Sequence, residues 1–144
     1  MTSEDKGHYS KKLPPGFKAD RDVEKAMKKV IKEGAISCAK AHSIAKKYDI
    51  SPSEVGQTID FLEVSICKCQ MGLFGYPEGK CVKPAETVPP ELEEAIRISL
   101  KNDKISCKSA WDIAERLGTG RMKVSAACES LGIKIVSCQL GAFK

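Results

Sequence analysis

The apolar residues near the start of the chain follow the spacing of a helix. Beginning at Val23, they fall at i, i+3, i+4, i+7 and i+8, which places them on a single face. Asp20 before this run is a typical N-cap residue, and Gly34 after it is a typical residue for a helix C-terminus. The pattern therefore predicts a first helix from Asp20 to about Glu33, with its lysines facing water.

The residues that follow predict a short strand, two more helices and a second strand. Residues 35–37 are too few for a helix, whereas residues 39–48 again show helical periodicity. Ser51 and Pro52 predict the start of a third helix, since Ser caps helices and Pro suits their first turn. The β-prone residues 64–71 predict a closing strand. Because the two strands flank the second and third helices, we expect them to pair.

The same order of elements occurs a second time along the chain. Residues 23–75 align with residues 92–144 without a gap, at an offset of 69 positions. The sequences Ile-Ser-Cys and Cys-Gln-x-Gly-x-Phe occur once in each copy; the second of these, residues 69–74 and 138–143, is called the Cys-Gln motif below. Most of the identical pairs are apolar and lie on predicted helix faces. We interpret this pattern as a tandem duplication.

The duplication sets the predicted fold class and domain boundaries. We expect a mainly α protein with small β-hairpins, built from two tandem repeats. The predicted boundaries are a flexible tail at residues 1–19, a first repeat at 20–75, a Pro-rich linker at 76–90 and a second repeat at 91–144. Each repeat is close to the smallest size that sustains a hydrophobic core of its own.

The composition indicates a slightly positive net charge and cysteines in the reduced state. The net charge is +5; residues 23–75 carry 8 basic and 6 acidic residues, and residues 92–144 carry 9 and 6. This excess permits binding to a polyanion without demanding it. The sequence shows no secretory signal and no apolar run of bilayer length, so we expect no membrane association and a cytoplasmic location. The seven cysteines are then expected to be thiols.

The helical pattern resembles that of the winged helix-turn-helix superfamily. In the first copy the resemblance rests on residues 41–55, and in the second on residues 110–118 together with Val124. Both stretches show an Ile-Ala pair, a small turn and a Val on the next helix. The resemblance covers both copies and implies two winged-helix-like repeats of the order helix-strand-helix-turn-helix-strand. It also implies DNA binding, with the third helix of a repeat in the major groove.

Candidate DNA contacts follow from this resemblance. Arg121, Lys123 and Ser125 lie at the start and on the outer face of the third helix of the second repeat, where Arg and Lys reach phosphates or guanine edges. In the first repeat, Gln57 and Thr58 are candidates for base contacts, but its third helix is acidic. We therefore expect the second repeat to dominate DNA binding. The alternative is that these faces are simply solvated.

The cysteines offer a second chemistry. Cys38, Cys67, Cys69 and Cys81 together supply four thiolates, the number needed for tetrahedral zinc or an iron–sulfur cluster. Their spacing matches no standard ligand motif, and Cys is also a small apolar core residue. We favour core thiols and no cofactor, with a metal site as the alternative.

No catalytic signature accompanies these features. The sequence contains no phosphate-binding loop and no nucleophile–base arrangement, and His42 is replaced by Trp111 in the second copy. We therefore expect a non-enzymatic DNA-binding protein, with transcriptional regulation as the role that the resemblance implies. The alternative is a protein-interaction or thiol- or metal-responsive module, or a homodimer, that does not contact DNA.

Overall fold

The computed structural model describes Leu13 and residues 16–144; most of the predicted tail, residues 1–12, 14 and 15, lies outside this range. The described chain is mainly helical, with six helices and four short strands. In chain order these are α1 (Arg21–Val30), β1 (Ala35–Ser37), α2 (Cys38–Lys47), α3 (Pro52–Phe61), β2 (Ser65–Cys67), α4 (Pro90–Ile98), β3 (Lys104–Ser106), α5 (Cys107–Leu117), α6 (Arg121–Leu131) and β4 (Lys134–Val136). The order α-β-α-α-β therefore occurs twice. Among these helices, none combines the length and the apolar character needed to cross a bilayer.

Contacts along the chain divide it into two compact units whose limits differ from those of the repeats. Unit 1 comprises the described residues up to Cys69 together with Gln139–Phe143, and unit 2 comprises Gln70–Cys138 and Lys144. Both limits fall directly after the cysteine of the Cys-Gln motif. Each copy of this motif therefore contributes its later residues to the unit whose helices come from the other copy.

Side-chain caps start several of the helices where the sequence indicates. The Asp20 carboxylate accepts a hydrogen bond of 2.8 Å from the Asp22 N–H at the start of α1. The Ser51 hydroxyl accepts one of 3.1 Å from the Glu54 N–H, directly before Pro52 at the start of α3. Both predicted helix starts are confirmed. These caps satisfy N–H groups that the first turn of a helix leaves without backbone partners.

The first helix ends earlier than the periodicity predicts. Helix α1 stops at Val30, and Ile31 takes an extended conformation. Lys32 and Ala35 then exchange two backbone hydrogen bonds of 2.9 Å, around Glu33 and Gly34, which both have positive φ. The prediction of a helix to Glu33 is wrong because these residues form a tight turn of the kind that connects antiparallel strands. This turn leads directly into β1.

The strands pair within each unit, but they do not form hairpins. Strand β1 pairs with β2 in parallel, with Ile36 opposite Ile66, and β3 pairs with β4 in parallel, with Ile105 opposite Ile135. The predicted pairing is confirmed, whereas the predicted β-hairpins are wrong for these strands. A hairpin joins antiparallel strands by a tight turn, whereas two helices connect the strands of each pair here.

Both closing strands are shorter than predicted because the backbone turns at equivalent residues. Lys68 has φ of 50° and Ser137 has φ of 56°, so strand geometry cannot continue through either residue. Strand β2 therefore ends at Cys67 and β4 at Val136. At this turn the chain begins its passage into the other unit.

Candidate nucleic-acid interfaces

One stripe of α6 is covered by a segment of unit 2 that precedes α4, residues 70–85, called the cover segment below. The stripe consists of Met122, Ser125, Ala126 and Glu129, which share one face of the helix by their spacing. The Ser125 hydroxyl donates a hydrogen bond of 2.6 Å to the Met71 carbonyl oxygen. The cover segment therefore lies on a different face of α6 from the one that packs into the core of the helices.

Two further contacts extend the cover along the helix. The Ala85 N–H donates to the Ala126 carbonyl oxygen at 3.0 Å, and the Lys80 ammonium forms a salt bridge with Glu129. Gly72 has φ of +71°, which other residues adopt only with strain, and a Cβ added there would lie 2.6 Å from the Met122 sulfur, so that side chain would have to move. Part of the predicted Pro-rich linker, residues 76–85, thus packs against α6 in unit 2.

The Arg121 guanidinium has partners within unit 2. It donates a hydrogen bond to the Gln70 side-chain oxygen and lies over the Trp111 ring, with 3.6 Å between its central carbon and the ring centroid. A cation over an indole face is attracted by the ring quadrupole. Binding of a phosphate by Arg121 would compete with both contacts.

These contacts change the set of DNA-binding candidates on α6. Ser125 is completely buried and its hydroxyl is used by Met71, so it cannot contact a ligand in this conformation. Arg121 and Lys123 are both exposed, but the Arg121 guanidinium already contacts Gln70 and Trp111. Of the three predicted contacts on α6, Ser125 is therefore inaccessible in this conformation, and Lys123 is the cation that has no such competing contact.

The third helix of unit 1 is also covered on part of its surface. Thr58 is 4% exposed and donates a hydrogen bond to the Glu54 carbonyl oxygen at 3.1 Å, so it is not available to read a base. Gln57 is half-exposed. A Cβ added to Gly56 would overlap the carbonyl oxygen of Leu140, which belongs to the later part of the second Cys-Gln motif. The motif thus lies against α3 in unit 1, as its first copy lies against α6 in unit 2.

The cysteines do not assemble as a metal site in the described chain. All seven are thiols. Among the described residues, no three His, Cys, Asp or Glu side chains come together as a group that could hold a metal ion. The metal alternative is therefore not supported by this arrangement.

Burial makes the Cys128 thiol a weaker acid than an ordinary cysteine. Its side chain is 1% exposed on the inner face of α6, and burial, with a smaller contribution from Glu129, raises its pKa from 9.0 to about 11. A thiol that stays protonated is a poor nucleophile and metal ligand, so Cys128 has the properties of a core residue.

This pKa predicts a pH dependence of stability. Between pH 9 and about 11 the unfolded chain releases the Cys128 proton while the folded protein retains it, so rising pH favours unfolding in this window. Below pH 9 both states hold the proton and the effect is absent. We expect wild-type protein to lose about 2 kcal/mol more than Cys128→Ala across the window. Urea unfolding at several pH values measures this difference; parallel curves for the two proteins would contradict it.

A groove between α1 and α2 in unit 1 is lined by more basic side chains than the exposed surface of α3 or of α6. Its volume is about 480 Å³, and four exposed lysines line it: Lys25, Lys29, Lys40 and Lys47. The remaining lining residues are Asp22, Ala26, Val30, Ser43, Ile44 and Tyr48. We call this feature the lysine groove. It combines basic side chains at its rim with apolar side chains that are more deeply placed.

The lysines of the groove are available to a ligand. Lys28 on the same helix forms a salt bridge of 3.2 Å with Glu24, whereas no groove lysine forms a salt bridge with another described residue. The Lys47 ammonium lies 5.5 Å from the centre of the Tyr48 ring. Asp22 is the single carboxylate in the lining, so positive charge dominates the groove.

The positive charge of the described helices is concentrated on the two helices that form this groove. Helices α1 and α2 carry seven basic and two acidic residues, whereas their counterparts α4 and α5 carry three and five. This asymmetry is not visible in the total charges of the two sequence repeats, which are nearly equal. A signal was present in the sequence, because the lysines occur at helical spacing in the first two helices of one repeat alone.

The equivalent surface of unit 2 has lost this character. Lys29 aligns with Ile98, Tyr48 aligns with Leu117 and Lys25 aligns with the acidic Glu94, whereas Lys47 aligns with the basic Arg116. Ile98 is 74% exposed and Leu117 is 39% exposed, so apolar side chains take the positions of Lys29 and Tyr48 on this surface. Among the described residues, the equivalent positions of unit 2 therefore do not reproduce the four-lysine lining of the groove.

Comparisons with known proteins assign this chain to no family. No family model, no curated protein and no solved structure matches the chain.

Proposed function

We propose that this protein binds DNA without catalysing a reaction, and that the lysine groove of unit 1 is its main contact surface. The observation that carries this proposal is the concentration of basic residues on α1 and α2, with four lysines around one groove. Lys side chains neutralise phosphates and release the counterions that surround DNA. A surface of this kind binds DNA through its backbone, with little dependence on sequence.

A winged-helix-like fold for each repeat and a role in transcriptional control belong to the same proposal. The close succession of α2 and α3, and of α5 and α6, supports a helix-turn-helix arrangement. The covered stripe on α6 argues against insertion of this helix into a major groove in the present conformation, since Arg121 and Ser125 are engaged by residues 70 and 71. We therefore move the proposed contact from the third helix of the second repeat to the lysine groove. A cytoplasmic location fits the seven thiols.

A salt titration tests this function. For the binding of labelled duplex DNA, measured by fluorescence anisotropy between about 50 and 200 mM salt, we expect the logarithm of the association constant to fall with a slope of about −3 to −4. This slope corresponds to phosphate contacts by the four groove lysines. Absence of binding to both duplex and single-stranded DNA at the lowest salt concentration would contradict the proposal, and so would an affinity that does not change with salt.

A protein-interaction module is the second candidate, and the exposed apolar residues of unit 2 favour it. Ile98 and Leu117 occupy the positions that correspond to Lys29 and Tyr48 in the lysine groove. Burial of such side chains against a protein partner or a second copy of the chain removes apolar surface from water. Under this alternative, Ile98→Glu abolishes association and substitutions in the lysine groove leave it unchanged.

A further inference from the structure

The lysine groove contains two kinds of surface, and a ligand that fits it must satisfy both. Four exposed lysines line the groove, and they attract phosphates. Between them lie Ala26, Val30 and Ile44, which are half-buried or buried and offer no side-chain hydrogen bonds. Tyr48 adds an aromatic ring to the same lining.

Duplex DNA matches only the first of these surfaces. Its outer face presents phosphates and sugars, while the flat faces of its bases are stacked inside the helix. The apolar lining and Tyr48 would therefore gain little from a duplex. A single strand instead presents phosphates and unstacked bases together, and proteins bind it with basic grooves that also carry aromatic stacking residues.

We infer that the lysine groove prefers single-stranded nucleic acid, with groove lysines on its phosphates and Tyr48 stacked against a base. This inference rests on the proposed function and narrows its ligand. The Lys47 ammonium lies over the Tyr48 ring, 5.5 Å from its centre, so a base that stacks on that face of the ring must displace the ammonium, which can then pair with a neighbouring phosphate.

The other unit supplies an internal comparison for this inference. At the positions equivalent to Lys25, Lys29, Lys40 and Tyr48 it carries Glu94, Ile98, Ser109 and Leu117, whereas Lys47 has the basic counterpart Arg116. Three of the four groove cations and the aromatic ring are thus lost together. We therefore expect one strand-binding site per chain.

The test compares three labelled probes of about 20 nucleotides or base pairs on the full chain at about 50 mM salt: oligothymidylate, oligouridylate and a duplex. We expect the single strands to bind about tenfold more tightly than the duplex. Tyr48→Ala should weaken single-strand binding about tenfold and change duplex binding less than about twofold, since only a single strand offers a free base face. Tyr48→Phe keeps the ring and should retain the wild-type affinity.

Each outcome separates this inference from the function on which it rests. Equal affinities for duplex and single strands, or a Tyr48→Phe variant as weak as Tyr48→Ala, would overturn the preference and leave DNA binding in place. Failure of all three probes to bind would overturn both. Thermal unfolding of each Tyr48 variant verifies that the fold is retained, and Tyr48→Leu, which introduces the residue of the second repeat, provides an independent loss of the ring.

Discussion

The variant Lys29→Glu/Lys40→Glu is expected to bind DNA about 10- to 100-fold more weakly than the wild type at low salt. The two lysines lie on opposite helices of the groove, so their reversal places negative charge on both walls. Two phosphate contacts are lost and replaced by repulsion. The salt dependence should also become shallower, by about one unit of slope for each contact removed.

A matched control separates this local effect from a change in net charge. Lys104 and Lys134 are exposed residues of β3 and β4, outside the lysine groove. The variant Lys104→Glu/Lys134→Glu carries the same net charge as the groove variant and should bind DNA within about threefold of the wild type. Equal losses in both variants, measured by anisotropy, would show that only total charge matters.

The substitution Gly56→Ser is expected to lower the free energy of unfolding by about 1–3 kcal/mol. Intrinsic helix propensity alone would favour Ser over Gly in the middle of α3. The added Cβ, however, overlaps the Leu140 carbonyl oxygen, and a backbone atom cannot move aside as a flexible side chain does. The later part of the second Cys-Gln motif must therefore shift away from α3. Urea unfolding measures the loss.

Gly120→Ser provides the control for this prediction. A Cβ at Gly120 meets no atom within 4 Å, and Ser is favoured at the N-cap position that Gly120 occupies in α6. We expect its stability to equal or slightly exceed that of the wild type. If Gly56→Ser were also neutral, the close approach of the Cys-Gln motif to α3 would be incorrect. Ser125, the counterpart of Gly56, tolerates its hydroxyl because Met71 accepts its hydrogen bond.

The helices were predictable because their signals are local. The apolar stripe that begins at Val23, the cap at Asp20 and the Ser51-Pro52 start each depend on residues a few positions apart. Comparison of the two copies strengthened each signal, since an accidental pattern seldom repeats at one fixed offset. The pairing of the strands was also predictable, because each pair flanks the same two helices.

The passage of the chain between units was not predictable from these signals. It begins with positive φ at Lys68 and Ser137, residue types that do not favour this conformation. The Cys-Gln motif was visible as a repeated sequence, but its role depends on contacts far along the chain, such as that of Met71 with Ser125. For this reason Ser125 appeared accessible by helical position and proved buried.

The candidate site was missed for a related reason. Counts of charge over whole repeats are nearly equal, while the lysines gather on the first two helices of one repeat. The resemblance to helix-turn-helix proteins instead predicts a contact through the third helix. The geometry shifts the proposed contact to α1 and α2, where Lys29 and Lys40 face a common groove.

Lysine acetylation with and without bound DNA, read by mass spectrometry, tests the location of the contact most directly. We predict that Lys25, Lys29, Lys40 and Lys47 lose reactivity when DNA binds, whereas Lys123 on α6 reacts equally in both states. Protection of Lys123, with the four groove lysines as reactive as in the free protein, would contradict the account and return the contact to the third helix of the second repeat.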